Sequence, residues 1–171
     1  MAYVLADVVS ECLVDAEAGE LDLSYWVYAM SDRDYRNCAR GHYGCGSSRL
    51  PGGGRLSINA ECVGGHFLVQ HYEPELLEPH HIRMVSAASD MWIFRLIPAR
   101  VKVIWDVSLI PQGEGRCLFR DHIRVEHKNR LLWWLSKLAL INWVVQKHDD
   151  EETPQFAANC VEVCRKREAV Q

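Results

Sequence analysis

Two residues of this chain stand where a titratable side chain is costly. Along residues 116–126 the alternate positions Cys117, Phe119, Ile123 and Val125 are apolar, and Asp121 falls on the same strand face. A carboxylate placed there must find a partner or take up a proton, since an unpaired charge out of water is expensive. His71 shares a face with Phe67 and Val69, which sets an imidazole able to exchange protons near neutral pH beside apolar neighbours. Together His71 and Asp121 form the candidate acid–base pair for a reaction inside an apolar site. The opposite face of the same strand carries His66, Leu68, Gln70 and Tyr72, and either face can be the inner one. Asn59 and Tyr72 are candidates to hydrogen-bond a ligand, while Trp105 and Phe119 are candidates to stack or pack against it.

Other constellations carry less. The chain has no GxSxG, HExxH, CxxC or GxxxxGK[ST] pattern, and Gly52-Gly53-Gly54 lacks the lysine and following helix of a phosphate loop. Cys38, His42 and Cys45 are zinc-type donors close in sequence, but a fourth ligand is not evident and the intervening glycines suggest a loop. Free thiols beside a chance histidine are the simpler reading, so neither a metal nor a cofactor is expected. Cys160 and Cys164 share one helical face as small core residues. His80 and His81 fall in a solvated turn, His122, His127 and His148 at outward or terminal positions, and residues 149–152 read as a solvated acidic helix start.

The elements that must position these residues follow from periodicity. Residues 4–16 read as a strand, and Asp22 or Ser24, then Ser31 with Asp34, cap two short helices. Residues 41–54, rich in glycine, read as a loop. The period then drops to two: Leu56, Ile58, Ala60 and Cys62 alternate with polar residues, and Gly64-Gly65 turns a hairpin into residues 66–73. Short strands are expected over 81–85, 91–97, 101–109 and 116–126, with Val101, Val103, Trp105, Val107 and Leu109 on one face. From Asn129 the pattern is helical, with a break expected at Thr153-Pro154. The late helix is the one element long enough to cover the sheet, using Leu132, Leu135, Ala139, Trp143, Phe156, Cys160 and Val163.

Composition agrees with one globular α+β domain over residues 1–171. The chain has 171 residues, 49% hydrophobic and 25% charged, with a formal net charge of −4 and its basic residues scattered, which argues against nucleic acid as a partner. Seven cysteines without regular spacing suit free thiols. The first residues lack a basic leader before their apolar part, so a cytoplasmic location is expected. Residues 131–145 are too short and too polar for a span of about 20 apolar residues. No membrane association through Trp133 and Trp134 is expected either, because that helix is needed to close the fold.

The order strand, two short helices, antiparallel strands and long C-terminal helix resembles the helix-grip fold of the START-like (SRPBCC) superfamily. The segments that carry it are SINAECVGGHFLVQHYEPELLEPHHIRMVS (57–86), VKVIWDVSLIPQGEGRCLFRDHIRVE (101–126) and HDDEETPQFAANCVE (148–162), similar to uncharacterised bacterial and fungal members and polyketide cyclase-like proteins. The resemblance implies a curved antiparallel sheet gripping the last helix and a cavity between them. It also implies a small hydrophobic ligand, polycyclic or polyketide-derived, that is cyclised, isomerised or subjected to elimination without a cofactor. Carriage of such a ligand without chemistry is the alternative, and oligomeric state is left open.

Overall fold

The computed structural model describes residues 2–169. Seven antiparallel strands form one sheet in the order β1-β7-β6-β5-β4-β3-β2, made of β1 (Tyr3–Val14), β2 (His42–Arg49), β3 (Arg55–Val63), β4 (His66–Glu78), β5 (His81–Ile93), β6 (Ile97–Gly113) and β7 (Arg116–His127). Between β1 at one edge and β2 at the other run a single 3₁₀ turn (Ala18–Glu20) and the helices α1 (Leu23–Ala29) and α2 (Asp32–Cys38). Asp22 caps α1 by accepting from the Tyr25 amide, and Ser31 caps α2 by accepting from the Asp34 amide. Helices α3 (Arg130–Leu138) and α4 (Ile141–Glu168) complete the α+β helix-grip arrangement, in which the curved sheet wraps α4.

Bulges bend the sheet where it must curve. The two strands expected over 81–85 and 91–97 are one long β5 whose register slips between Ser86 and Ser89. Residues 42–49 are not a loop: they pair with β3 alone, at a sheet edge, where a glycine-rich segment needs a partner on only one side. The helical break also lies elsewhere. It falls at Leu140, whose φ of 51° interrupts the pattern between α3 and α4, while Pro154 sits inside α4 and only forgoes its own amide bond.

The core lies where α4 meets α1 and the inner sheet face. Trp26 packs edge-on against Trp105, Phe119 and Phe156 with ring centroids 5.7–5.9 Å apart. Phe156, Ala157, Cys160 and Cys164 supply the buried stripe of α4. On β6 the inward face is Val101, Val103, Trp105, Val107 and Leu109, as alternation predicts. On β3 it is reversed: Ser57 and Asn59 are buried, whereas Leu56, Ile58 and Ala60 are only half-buried on the outer face. The grip therefore turns a polar row inward, and that row leads to Glu61.

Candidate functional site

Between the inner sheet face and helices α3 and α4 lies a cavity of about 490 Å³. Its walls are mainly apolar, with Leu68, Met91, Val103, Ile123 and Val125 from the strands and Leu132, Val144 and Phe156 from the helices. Phe94, Leu135 and Leu138 line it and are also exposed, so they mark its mouth. Asn59, Glu61, Gln70, His148, Asp149 and Glu152 give the cavity a concentrated polar patch, whereas His66, beside Phe94, and Ser136 on α3 are polar lining residues apart from that patch.

This polar end is a built cluster. His42 and Glu61 are cross-strand partners on β2 and β3, while His148 and Glu152 stand one turn apart on α4, so four side chains from three elements converge. Nε2 of His42 lies 2.8 Å from Glu152 Oε2, and Nε2 of His148 lies 3.2 Å from Glu61 Oε2 and 3.4 Å from Glu152 Oε2. The His42 ring stacks on Tyr35 at 3.9 Å, the Tyr35 hydroxyl donates to Glu61 Oε2 at 3.4 Å, and Gln70 donates to Glu61 Oε1. A glycine makes room: a Cβ on Gly41 would meet the Cys62 carbonyl at 2.5 Å and His148 Cε1 at 3.0 Å.

Burial and pairing pull against each other here. Burial alone would lower the pKa of His148, but Glu152 and Glu61 outweigh it and hold the imidazole up at about 10. For Glu61 burial would raise the pKa, and the hydrogen bond and charge of His148, with His42, bring it down to about 2. Asp149 has less help: burial and the neighbouring Glu152 push it up to about 7. Burial, with Asp149 and Glu152 nearby, raises Asp121 well above the ordinary carboxylate value.

The expected site residues separate into three groups. Asn59, Tyr72 and Trp105 line the cavity, and the Tyr72 and Trp105 rings stand 5.8 Å apart. Asp121 and Phe119 are buried on the inner face of β7 but lie behind the cavity wall: Asp121 accepts from Trp105 Nε1 at 3.0 Å, and Phe119 packs under Trp26. His71 is exposed on the outer face of β4, because Leu68, Gln70 and Tyr72 are its inward set. His71 and Asp121 therefore sit on opposite sides of the sheet and do not form a pair. Cys38 and Cys45 do not join His42, and burial drives their thiols up to about 12 and about 11.

Three cavity-end residues fall outside the sequence expectation. Pattern alone puts His148, Asp149 and Glu152 at a solvated helix start, yet α4 begins at Ile141, and these residues lie inside it on its sheet-facing side. The signal that finds them is the spacing His148, Asp149, Glu152, Thr153 and Phe156, which keeps to one helical stripe ending in apolar residues.

No protein-family model matches the sequence, and no curated protein resembles it significantly. Solved structures do. A protein of Thermus thermophilus is similar with a TM-score of 0.59 at 14% identity, covering 94% of this chain and 98% of that one. The Zhui aromatase/cyclase from a Streptomyces species is similar with a TM-score of 0.56 at 11% identity, covering 96% of each chain. The di-domain aromatase/cyclase StfQ of the steffimycin biosynthetic pathway has the same TM-score at 11% identity, and the match covers 98% of this chain and 53% of StfQ. The chain has the START-like fold. Among the described residues no helix is long and apolar enough to cross a membrane.

Proposed function

We propose that this protein takes up a small, mostly apolar molecule with one oxygenated end and promotes a cyclisation, isomerisation or elimination at that end. The observation that carries the reading is the asymmetry of the cavity, mostly apolar along its length and densely polar where Asn59, Glu61, His148 and Glu152 meet. Apolar walls supply affinity without direction, whereas a few convergent polar groups fix orientation. Held that way, a flexible chain is confined near a reactive conformer beside groups that accept and deliver protons. Tyr72 and Trp105 contact the ligand in this reading. Asp121 acts through Trp105, as a positioning residue that fixes the indole by its hydrogen bond. The similarity to two aromatase/cyclases supports the same chemistry at the level of fold alone.

One feature favours carriage without reaction as the second reading: the cluster's imidazoles and carboxylates are already paired with one another. The test uses the purified protein equilibrated with a hydrophobic cell extract, followed by mass spectrometry of what co-purifies and of what changes in the extract. Expected is an apolar molecule bearing oxygen at one end, captured by the wild type and lost from Leu68→Trp, which fills the cavity from β4. Equal capture by the two proteins, or none by either, would overturn the reading. A captured molecule that leaves chemically unchanged selects carriage.

A further inference from the structure

The geometry points to a divalent transition-metal site, zinc in the first instance, formed by Nε2 of His42, Nε2 of His148, Oε2 of Glu61 and Oε2 of Glu152. Metal binding here does not depend on which molecule fills the cavity. Zinc holds imidazole nitrogen and carboxylate oxygen at about 2.0–2.2 Å in a tetrahedron, which sets neighbouring ligand atoms about 3.3 Å apart. The four nitrogen–oxygen separations in the cluster are 2.8, 3.2, 3.4 and 3.7 Å, which bracket that edge, and all the donor atoms lie within 4.8 Å of one another. Imidazole with carboxylate is also a donor set that zinc and iron accept, and two carboxylates balance a divalent charge.

Two further observations point to a ligand. Nδ1 of His42 lies 2.7 Å from the Tyr35 carbonyl oxygen, which can only accept, so Nδ1 carries the hydrogen. Burial would lower the pKa of His42, but Glu152 and Glu61 outweigh it and raise that pKa, so Nε2 faces two carboxylates with a proton that a cation bound between them would displace. Donation of the second ring nitrogen to a backbone carbonyl is the usual way a metal-binding histidine is oriented. In addition, among the described residues Asp149 Oδ2 and Asp121 Oδ2 are buried beside Glu152 without a hydrogen-bond donor, and the ion pairs of Glu61 and Glu152 are with imidazoles alone. Burial raises both aspartates toward their protonated forms, so the charge of Glu61 and Glu152 is balanced by the two imidazoles or, with the imidazole protons displaced, by the ion. Because Glu61, His148 and Glu152 also line the cavity, the ion would face whatever binds there.

The experiment takes the full chain, strips it with chelator, titrates it with zinc chloride by calorimetry and measures the metal retained after gel filtration. One zinc per chain is expected. His148→Gln and Glu152→Gln should each weaken binding by at least about 10–100-fold, the range already seen when only a partner of a ligand is lost. His71→Gln, on the outer face, should leave it unchanged. Loading the wild type with cobalt(II) gives a readout that needs no variant to fold: a four-coordinate site yields strong visible d–d absorption. Absence of stoichiometric zinc, retention of full affinity in both His148→Gln and Glu152→Gln, or the weak spectrum of six-coordinate cobalt would overturn the proposal.

Discussion

The two ends of the cavity are built by opposite rules. At the polar end every element is fixed by its neighbours: β2 and β3 pair across His42 and Glu61, α4 docks on β1 through Gln146 and Ser10, and Tyr35 and Phe156 flank the His42 ring. At the mouth the β5–β6 hairpin turns through Phe94 and Arg95, both at positive φ, and Phe94, Leu96, Ile97 and Leu138 are 60–80% exposed. Helix α3 adds exposed Leu131 and Trp134, and of the face expected to cover the sheet Phe156 and Cys160 are buried whereas Leu135 and Trp143 are exposed. The contrast teaches where this fold invests its specificity. Costly, mutually dependent charges stand where a ligand's polar end would be read, and forgiving apolar surface stands where it would enter.

Substitutions should separate the ends most. Glu152→Ala removes the nearer carboxylate of His42 and leaves Glu61 to balance both imidazoles in a buried site, and a broken buried pair costs about 3–5 kcal/mol. Urea unfolding of chelator-treated protein should show that loss as a lowered midpoint with an unchanged slope. Next in size is a pH effect confined to the polar end. His148 is held above its ordinary 6.5 at about 10, so the stability it contributes is complete below about pH 6.5 and is lost as pH rises toward 10. Glu61, held below its ordinary 4.5 at about 2, contributes stability that is present above about pH 4.5 and is lost as pH falls toward 2. The groups acting on the pair are His42 from β2, Tyr35 from α2, Gln70 and Tyr72 from β4, and Glu151 and Glu152 from α4. Thermal scans of metal-free protein from pH 6.5 to 10 should show the alkaline decline in wild type and a flatter one in His148→Gln. The smallest effect belongs to the mouth: Leu138→Ser, at an exposed position, should change stability by no more than about 0.5 kcal/mol. A loss there as large as that of Glu152→Ala would erase the distinction between the ends.

Periodicity made the architecture readable, because strand alternation on β6 and β7 and the capping residues of α1 and α2 are local signals. The site was harder to read because its polar residues sit on faces that hydrophobicity assigns outward. On β3 the apolar set Leu56, Ile58 and Ala60 marks the outer face, so Asn59 and Glu61 point in against the pattern, and the same choice on β4 sends His71 out and Gln70 in. Asp121 was legible as a buried carboxylate since the strand face it shares with Cys117, Phe119, Ile123 and Val125 is otherwise apolar. Its partner Trp105 was legible only as a neighbour, and the cluster it approaches draws on β2, β3 and α4, which no local spacing connects.

The central claim is that the apolar cavity reads the oxygenated end of its ligand through the cluster. Binding of a matched pair of probes, naphthalene and 1-naphthol, to the wild type and to His148→Gln, followed by the fluorescence of the tryptophans, tests it most directly. A hydrogen bond to a charged group contributes about 1.5–3 kcal/mol, so the wild type should prefer the naphthol by about tenfold or more beyond its partition from water, and His148→Gln should lose most of that preference while binding naphthalene as before. Equal preference in the two proteins would contradict the account.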